Sequence, residues 1–418
     1  MENVKAMPNN TSPRRVAVLG SSGSIGKNTL EVIADSHGRL EPVLLSVHTR
    51  TDILVEQINQ MILRGVADKM HGKQPALPRW IVVTDKTADR GVLKELPKEI
   101  DVFFGHDALC ELVKRPEIDV VLSAIVGSAG LTSTWSALCA GKTVALANKE
   151  SLVMGGSLIT DLAQKNGGFL IPVDSEHSAV LQALQSWAIG NDVGCYRSGS
   201  VRKIILTASG GPFRNKTLDE LKDVTVGDTL NHPVWSMGKK ITVDSATLMN
   251  KALEIVEARW FFDIPAEKIE VIIHPQSVVH SMVEFADGSV IAQMSPPDMR
   301  LPIQLALNYP YRLPGPAMKL NWKEKLSLDF YPPDLRRFEA ITLGLEIAKK
   351  GGTTGAVVNA ANETAVNAFL NGHLPFHKII GVSRTILEHH HFEPNPTLDK
   401  LLELDKWARD EAGKLIPN

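Results

Sequence analysis

Two carboxylates lie two positions apart in the segment Pro172-Val-Asp-Ser-Glu-His177. In an extended segment, positions i and i+2 point to the same side of the chain, so Asp174 and Glu176 would be presented together. Adjacent carboxylates repel each other unless a cation lies between them. Oxygen ligands of this kind suit Mg²⁺ or Mn²⁺, and Co²⁺ is a further candidate. The alternative is that both residues are unrelated surface acids on a loop.

A second polar group lies in residues 243–254, Val-Asp-Ser-Ala-Thr-Leu-Met-Asn-Lys-Ala-Leu-Glu. The pattern predicts a helix that begins near Ser245, on which Asn250 and Glu254 share one face. Hydroxyl, amide and ammonium groups bind phosphate, so Ser245, Asn250 and Lys251 form a candidate phosphate site. An ordinary amphipathic helix is the alternative.

Glu254 is also a candidate third metal ligand, because it could complete a three-carboxylate site with Asp174 and Glu176. The same predicted helix continues with two residues of opposite charge, Glu257 and Arg259. We expect these two residues to belong to the solvated face of the helix.

Three glycines, Gly20, Gly23 and Gly26, lie between an apolar strand-like run and a helical stretch. Glycines at such a turn let the backbone approach a pyrophosphate, and the following helix N-terminus supplies amide donors. The spacing departs from the commonest dinucleotide fingerprint, in which the first two glycines are two positions apart. A tight turn without a ligand is the alternative.

The end of the second predicted strand bears on the choice of cofactor. NAD enzymes usually carry an acid there, which binds the ribose 2′-hydroxyl. This chain has Ser46-Val-His-Thr-Arg50 instead, so His48 and Arg50 could face a 2′-phosphate. We therefore expect NADPH rather than NADH. The alternative is that Arg50 only starts a solvated helix.

A long irregular segment, residues 209–238, is rich in turn-forming residues. Gly210 and Gly211 are natural hinges or anion-binding turns, and His232, Trp235 and Met237 follow without a clear period. A loop of this length is typical of a lid that closes over a substrate. A partly buried structural loop is the alternative.

The elements that position these residues fall into three parts. Strand-like and helical stretches alternate at first, which predicts an α/β fold with a doubly wound parallel sheet; the strands are expected at 15–20, 42–47, 80–83, 120–125 and 143–147. Later strands, at 203–207, 270–273, 281–284 and 289–293, predict a second, α+β domain. Helical patterns at 334–372 and 377–389 predict a small C-terminal helical domain.

Composition and charge argue against a nucleic-acid-binding protein and against a membrane protein. The chain has 418 residues, and 45 basic against 47 acidic side chains give a formal net charge of −2. Nucleic-acid binders usually carry a basic surplus, so we expect no nucleic acid partner. The three cysteines, Cys110, Cys139 and Cys195, form no disulfide framework, and we expect a cytoplasmic protein. Apolar runs have the length of strands, so we expect no membrane association.

Eight motifs occur together and in order, and they resemble one family. They are G-S-S-G-S-I-G from residue 20, A-I-V-G-S-A-G from 124, A-N-K-E-S-L from 147, P-V-D-S-E-H from 172, T-A-S-G-G-P-F from 207, H-P-V-W-S-M-G from 232, D-S-A-T-L-M-N-K-A-L-E from 244 and I-H-P-Q-S from 273. On these motifs the chain resembles the 1-deoxy-D-xylulose 5-phosphate reductoisomerases of the non-mevalonate isoprenoid pathway.

The resemblance implies a homodimer whose subunits have three parts. These are a Rossmann-like NADPH-binding domain at residues 15–172, a catalytic and dimerisation domain at 173–310 with the lid loop 209–238, and a C-terminal helical domain at 334–418. A linker at 311–333 precedes the last part, and residues 1–14 are expected to be a disordered lead-in.

The resemblance also implies roles for individual residues. The metal ligands fall on Asp174, Glu176 and Glu254. The substrate contacts fall on Lys149, Ser175, Ser209, His232, Ser245, Asn250 and Lys251, with Trp235 and Met237 in the lid. The cofactor contacts fall on Ser22, Gly23, Ser24, Ile25, Asn148, Glu150 and Gly238. The stretch Val47-His-Thr-Arg50 departs from the family pattern, so Arg50 as the anchor of the 2′-phosphate is our inference from the residues.

The implied reaction uses a 2-keto sugar phosphate as substrate and a divalent metal as Lewis acid. Rearrangement of the carbon skeleton gives a branched aldehyde, which NADPH reduces to 2-C-methyl-D-erythritol 4-phosphate. Two alternatives remain from the sequence. An NADP-dependent aldehyde or semialdehyde dehydrogenase would need a nucleophilic cysteine, and the three cysteines lie outside the candidate site motifs. A catalytically silent NADP-binding sensor would not need the carboxylates.

Overall fold

A computed structural model describes residues 12–69, 77–185, 199–235 and 237–417. Most of the expected lead-in, residues 1–11, and Cys195 lie outside the described residues. The remaining end of that lead-in differs from the expectation, because Arg14 is already the first residue of a strand. Its guanidinium donates a hydrogen bond to the carbonyl oxygen of Leu307 at 2.8 Å, which secures the start of that strand.

The first half of the chain alternates strands and helices. In chain order they are β1 Arg14–Leu19, α1 Ser24–Asp35, β2 Leu40–Val47, α2 Thr51–Lys69, β3 Trp80–Val83, β4 Asp101–Phe104, α3 His106–Leu112, β5 Val120–Ser123, α4 Leu131–Cys139, β6 Thr143–Leu146, α5 Lys149–Asn166 and β7 Phe169–Pro172.

The strands β1 to β7 form one parallel sheet in the order β4-β3-β2-β1-β5-β6-β7. Strand order reverses at β1, whose Val16 pairs with Pro42 of β2 on one side and Val120 of β5 on the other. The doubly wound, Rossmann-like sheet expected from the sequence is therefore confirmed. Two strands that the sequence did not predict, β4 and β7, are the two edges of the sheet.

The loop between β1 and α1 lies where the strand order reverses, at the carboxyl end of β1. Gly20 has φ +84°, and a Cβ built there would lie 2.8 Å from the carbonyl oxygen of Ala124. A Cβ on Gly26 would lie 2.4 Å from the carbonyl oxygen of Gly20 and 2.5 Å from the Cα of Ser21. Glycine is therefore required at both positions, because the turn and the first turn of α1 pack backbone against backbone.

The second half of the chain carries the remaining elements. They are α6 Ser175–Gln185, β8 Val201–Ala208, α7 Val226–Leu230, α8 Lys239–Thr247, α9 Met249–Phe261, β9 Ile269–Ile273, β10 Val279–Phe285, β11 Val290–Met294, α10 Arg300–Asn308, α11 Ala340–Lys350, α12 Thr354–Leu370, α13 Ile379–His389 and α14 Leu398–Lys414.

Strands β8 to β11 form a second sheet in the order β11-β10-β8-β9, in which only β8 and β9 are parallel. Helix α9 is buried between this sheet and α11, in a core that includes Leu253, Val256 and Ile341. Helices α12, α13 and α14 pack on one another around Val366, Phe369 and their neighbours. The predicted second sheet and C-terminal helices are thus confirmed. Within the part of the chain that the structure describes, no helix is both long and apolar enough to cross a membrane.

The chain forms two compact units that interleave in sequence. Unit 1 contains the chain up to Asn148 together with Leu162–Val173 and Met299–Ala317; unit 2 contains Lys149–Asp161, Asp174–Asp298 and the chain from Met318 onward. The expected limits near residues 172 and 310 did not anticipate that the start of α5 belongs to unit 2 or that α10 belongs to unit 1. The division into three domains stays a prediction.

The glycine turn generates a stability prediction. Replacing Gly26 by alanine should place a Cβ inside the backbone of residues 20–21, and we expect the apparent melting temperature to fall by roughly 2–6 °C. The matched control is Gly23→Ala, because Gly23 has φ −74° and its nearest built Cβ contact is 3.4 Å away. Differential scanning calorimetry of both variants checks this. Equal melting temperatures for the two variants would contradict the close backbone contact.

Candidate active site

Asp174 and Glu176 are brought together by the start of a helix. Asp174 follows β7 and its carbonyl oxygen accepts the Ser178 amide at 2.9 Å, so α6 begins at the next residue. Glu176 lies in the first turn of α6, and its amide donates to Asp174 Oδ1 at 3.4 Å. The expectation of an extended segment is therefore wrong, because a short polar side chain before Ser175 caps a helix there.

The segment that carries Asn250 and Lys251 contains a break between two helices. Helix α8 ends at Thr247, Leu248 adopts a left-handed conformation with φ 60°, and α9 begins at Met249. Ser245 therefore lies in the last turn of α8, and the expectation that a helix begins near it is wrong. The break points the first turn of α9 toward α6, and Glu254 follows one turn later.

Lys149, the first residue of α5, lies among the polar groups of these helices. Its Nζ donates to Asp174 and lies 2.9 Å from Asn250 Oδ1 and 3.3 Å from Glu254 Oε1. Burial lowers the pKa of the Lys149 ammonium, but Asp174 and Glu254 more than offset this and raise the pKa well above its ordinary value. Lys149 is therefore positively charged at neutral pH.

Lys251 provides a second cation on the other side of the same carboxylates. Its Nζ lies 2.9 Å from Glu176 Oε1 and also donates to Glu254. Ser175 donates its hydroxyl hydrogen to Glu176, and Asn250 donates its amide to Glu254. The two lysines thus offset part of the negative charge of the cluster.

Asp174, Glu176 and Glu254 form a donor set that fits a divalent cation. One carboxylate oxygen from each of the three lies within 4.8 Å of the other two. Burial raises the pKa of Glu254, and nearby Glu176 raises it further, to about 7. In contrast, Lys149 holds the pKa of Asp174 well below its usual range, although burial opposes this. All-oxygen donors with this charge suit Mg²⁺ or Mn²⁺.

His177 and Glu257 are buried beside this cluster, in a contact that the sequence does not predict. Neither side chain is exposed to solvent, and His177 Nδ1 lies 3.3 Å from Glu257 Oε2. The other ring nitrogen donates to the carbonyl oxygen of Glu254 at 2.9 Å, so Nδ1 carries the lone pair. Among the described residues, no group forms a hydrogen bond of acceptable geometry with either carboxylate oxygen of Glu257.

Glu257 therefore does not belong to a solvated face, and that expectation is wrong. Burial, then Asp174, raises the pKa of Glu257 well above its usual range, and burial lowers the pKa of His177 to about 4. A protonated Glu257 would donate to His177 Nδ1. The only available sequence signal was helical spacing, since Glu257 follows Glu254 by three positions. Arg259, by contrast, is partly exposed and pairs with Asp263 at 3.2 Å.

Ser209 and His232 meet within the predicted lid segment. Ser209 Oγ lies 3.2 Å from His232 Nε2, while His232 Nδ1 accepts the backbone amides of Val234 at 3.2 Å and Trp235 at 2.9 Å. Nδ1 is therefore the acceptor, and the hydrogen lies on Nε2.

The glycine turn after Ser209 packs on the end of α8. Gly211 has φ +65°, and a Cβ built on it would lie 2.7 Å from the carbonyl oxygen of Ser245. The turn therefore brings the loop of Ser209 against the helix end that carries Ser245. Asn250 and Lys251 follow on the next helix, so the candidate phosphate ligands come from adjacent segments.

The other lid residues are half-buried. The Trp235 ring makes an edge contact with His280 at 6.2 Å between centroids, and Met237 is also only partly exposed. His280 donates from Nε2 to the carbonyl oxygen of Ser295 at 3.2 Å, which fits a structural histidine. Ser236 lies outside the described residues. A lid role for this segment stays a prediction.

The candidate cofactor residues of unit 1 surround the glycine turn. Ser22 and Gly23 precede α1, and Ser24 and Ile25 form its first turn, where backbone amides point outward from a helix start. Asn148 donates to the carbonyl oxygens of Ile125 and Gly127, which holds the loop after β5.

Arg50 follows β2 and is exposed, as a residue that faces a 2′-phosphate would be, but an acidic side chain lies close to it. Its Nε lies 3.5 Å from Asp52 in the first turn of α2. Asp52 lies just beyond residues 46–50, the stretch that contains no acid. His48 contacts Thr84 Oγ1 through Nδ1 at 3.0 Å.

Two further candidate cofactor residues belong to unit 2. Glu150 is buried and pairs with Lys240 at 2.9 Å, whereas Gly238 is exposed and caps α8. Any contact of Glu150 with a cofactor would therefore involve its backbone or require its side chain to leave this pair.

A doubly wound sheet with a glycine turn at its reversal, together with a buried carboxylate cluster for a divalent cation, defines a dinucleotide-binding, metal-dependent class of enzyme. Three family models match the chain: 1-deoxy-D-xylulose 5-phosphate reductoisomerase at residues 16–156, the C-terminal domain of that reductoisomerase at 170–262, and the DXP reductoisomerase C-terminal domain at 294–411. The chain belongs to the 1-deoxy-D-xylulose 5-phosphate reductoisomerase family.

Individual relatives agree with this assignment. The chain is 45% identical over 445 residues to the 1-deoxy-D-xylulose 5-phosphate reductoisomerase of Rhodopirellula baltica, covering 96% of this chain and 94% of the relative. It is 46% identical over 407 residues to that of Pelotomaculum thermopropionicum, covering 96% and 98%. This level of identity decides against the dehydrogenase interpretation.

Solved structures of relatives share the fold over nearly the whole chain. The Zymomonas mobilis reductoisomerase in complex with NADPH is 39% identical with a TM-score of 0.84, covering 97% of this chain and 99% of that one. A DOX-P reductoisomerase in complex with NADPH, fosmidomycin and magnesium is 36% identical with a TM-score of 0.86, covering 96% and 98%.

The buried carboxylate cluster generates a stability prediction. Lys251→Met should leave Glu176 and Glu254 with less positive charge in a buried site, and we expect the free energy of unfolding to fall by about 3 kcal/mol or more. Urea unfolding checks this, with Lys222→Met as the control, because Lys222 forms an exposed pair with Asp219. Excess Mg²⁺ should recover part of the loss in Lys251→Met only. Equal stability of the two variants would contradict the charge compensation.

Proposed function

We propose that this chain catalyses the NADPH-dependent rearrangement and reduction of 1-deoxy-D-xylulose 5-phosphate to 2-C-methyl-D-erythritol 4-phosphate, in the non-mevalonate isoprenoid pathway. The observation that carries the proposal is the cluster of Asp174, Glu176 and Glu254 with Lys149 and Lys251 among them. Such a cluster can bind a cation and still present ammonium groups to a polar substrate. Reductoisomerases of known structure bind NADPH and magnesium, which agrees with this assignment.

Asp174, Glu176 and Glu254 would hold the divalent metal, either Mg²⁺ or Mn²⁺, with Co²⁺ as a further candidate. The bound metal would supply Lewis acidity at the ketone and hydroxyl oxygens of the substrate. The protein residues keep the ligands in place before the metal arrives, since Ser175 and Asn250 donate hydrogen bonds to the carboxylates.

Ser209, Ser245, Asn250 and Lys251, with His232, would bind the substrate phosphate. They combine hydroxyl, amide, imidazole and ammonium donors, which suit an anionic oxygen. Binding the phosphate at this end fixes the position of the reacting carbons, and its binding energy can help to close the lid with Trp235 and Met237.

Lys149 would contact the reacting end of the substrate. Its Nζ lies next to Asp174 and Asn250, so it reaches the carboxylates and the phosphate ligands alike. A lysine held charged at this place can donate a hydrogen bond to a substrate hydroxyl and keep water from the carboxylates.

The turn from Ser22 to Ile25 would receive the pyrophosphate of NADPH, and Asn148, Glu150 and Gly238 are the further proposed cofactor contacts. Glycine is required at positions 20 and 26, so the turn presents backbone amides without side chains in the way. NADPH would supply the reducing equivalents of the second half-reaction. Arg50 would bind the adenosine 2′-phosphate in place of the 2′-hydroxyl acid of NAD enzymes.

The proposal includes a homodimer in the cytoplasm. Strand β11 is an edge of the second sheet, and its Val290 is 51% exposed. In the same unit, Trp322 is 74% and Tyr331 is 52% exposed. Large exposed apolar side chains and a sheet edge each favour association with another subunit. The scarcity of cysteine favours a reducing compartment.

The activity is tested by NADPH oxidation with 1-deoxy-D-xylulose 5-phosphate, followed at 340 nm as the nicotinamide absorbance falls, with the product identified by mass spectrometry. We expect turnover with Mg²⁺ or Mn²⁺, and its loss when a chelator removes the metal. NADPH oxidation that ignores the chelator, or that yields no branched-chain product, would reject the function. Sedimentation velocity of the same sample reports whether it is a dimer.

The metal ligands generate the first activity prediction. Glu254→Gln removes one negative ligand, and we expect turnover to fall at least about 100-fold, equivalent to about 2.7 kcal/mol of transition-state stabilisation. NADPH affinity, measured by fluorescence titration, should not change. Excess Mn²⁺ should recover part of the activity by mass action. Near-normal turnover at low metal concentration would show that Glu254 is not a ligand.

Cofactor selection generates the second activity prediction. Arg50→Ala should raise the KM for NADPH about 10-fold and leave the KM for NADH within about twofold, because only NADPH carries the 2′-phosphate. The matched control is Asp52→Asn, which frees Arg50 from its exposed partner and should not raise the KM for NADPH. Steady-state kinetics with both cofactors decide the point. An equal rise for NADPH and NADH would remove Arg50 from the 2′-phosphate site.

A further inference from the structure

A largely buried lysine lies at the start of α8, outside the carboxylate cluster. Lys240 Nζ is 2.9 Å from Glu150 Oε1 and 2.9 Å from Asp244 Oδ2. The side chains of Lys240, Glu150 and Asp244 are only 15%, 6% and 1% exposed. A lysine with two carboxylate partners in so enclosed a position is held in one geometry, because each charge needs the others.

The charges continue toward the C-terminal helices. Asp244 Oδ1 accepts the side-chain amide of Asn362 at 2.8 Å, and the next residue of α12 is Glu363. Glu363 pairs with Arg409 of α14 at 2.6 Å, and Arg409 also binds Asp405 at 2.8 Å. Two neighbouring residues of α12 therefore contact α8 through Asn362 and α14 through Glu363.

The central lysine remains charged in this setting. Burial lowers the pKa of Lys240, but Asp244, Glu150 and Glu363 together raise it above its ordinary value. Burial raises the pKa of its partner Glu150, but Lys240 more than offsets this effect. The pKa of Glu150 is therefore below its ordinary value. Both partners are therefore ionised at neutral pH, and a neutral replacement of either would leave its partner buried with less compensation.

Within unit 2, Lys240 connects two segments that carry candidate site residues. Glu150 directly follows Lys149, whose Nζ contacts Asp174 and Glu254. Lys240 itself follows the predicted lid by two residues, after Gly238. Its own helix carries Ser245 in the last turn. One ammonium thus fixes the start of α5 against the start of α8.

We propose that Lys240 is a positioning residue, which ties the Lys149–Glu150 segment to the C-terminal end of the lid and is itself supported by Glu363 and Arg409. The proposal rests on the proposed function, since it assigns Lys149 and the lid to the substrate. It gives the C-terminal helices a role in the reaction, although neither α12 nor α14 supplies a candidate catalytic residue.

The kinetic test compares Lys240→Met with Lys203→Met. Lys203 also has two carboxylate partners, Glu270 at 2.8 Å and Glu284 at 3.3 Å, but it lies on β8 away from α5 and α8. At a temperature well below unfolding, we expect Lys240→Met to raise the KM for the sugar phosphate about 10-fold, and Arg409→Met to raise it about two- to fivefold. Lys203→Met should stay within about twofold of the unchanged chain. Lys240→Arg, which keeps the charge, should recover part of the loss.

Hydrogen exchange provides a readout that does not depend on turnover. Peptides covering residues 147–152 and 239–244 should exchange faster in Lys240→Met and Arg409→Met, but not in Lys203→Met. A chain without reductoisomerase activity would reject the proposed function and leave this comparison intact. If Lys240→Met does not fold, Arg409→Met is judged by the same criteria. Unchanged exchange in those peptides, or kinetic constants equal to those of Lys203→Met, would overturn the positioning role.

Discussion

Mutual repulsion among Asp174, Glu176 and Glu254 is the constraint on which the catalytic unit depends. Three carboxylates within 4.8 Å of one another are unstable unless cations are held among them. Lys149 comes from α5 and Lys251 from α9. The two cations therefore reach the carboxylates only when these separate helices hold their positions. The starts of α6 and α9, the break at Leu248 and the burial of α9 hold the carboxylates and the lysines together. A divalent cation would therefore bind among ligands that are already in place.

The sequence predicted the features that depend on local pattern. The doubly wound sheet follows from apolar runs whose lengths suit buried strands, and the glycine turn follows from its place after the first of them. The edge strands β4 and β7 were missed because β4 begins with the charged Asp101 and β7 ends at Pro172, a residue that is uncommon inside strands. The expectation that Asp174 and Glu176 lie together agrees with the structure although the expected local conformation does not, because a helix start brings the two residues together as well as an extended segment does.

Other features required tertiary information. Glu257 has the spacing of a solvated helical residue, and only the packing of α6 against α9 places His177 opposite it. A left-handed leucine at 248 carries no sequence signal, since leucine rarely adopts that conformation. The interleaving of the two units, with the start of α5 in one and its end in the other, is equally invisible to a pattern that is read along the chain.

The hydrogen bonds around Ser209 fix which groups donate and which accept. The backbone amides of Val234 and Trp235 donate to His232, His232 donates onward to Ser209 Oγ, and the Gly211 amide donates to the same oxygen at 3.2 Å. With both acceptor positions of that oxygen occupied, the hydroxyl hydrogen must point outward. The backbone of the loop thereby makes this serine an obligate donor, so it can bind only a ligand atom that offers a lone pair.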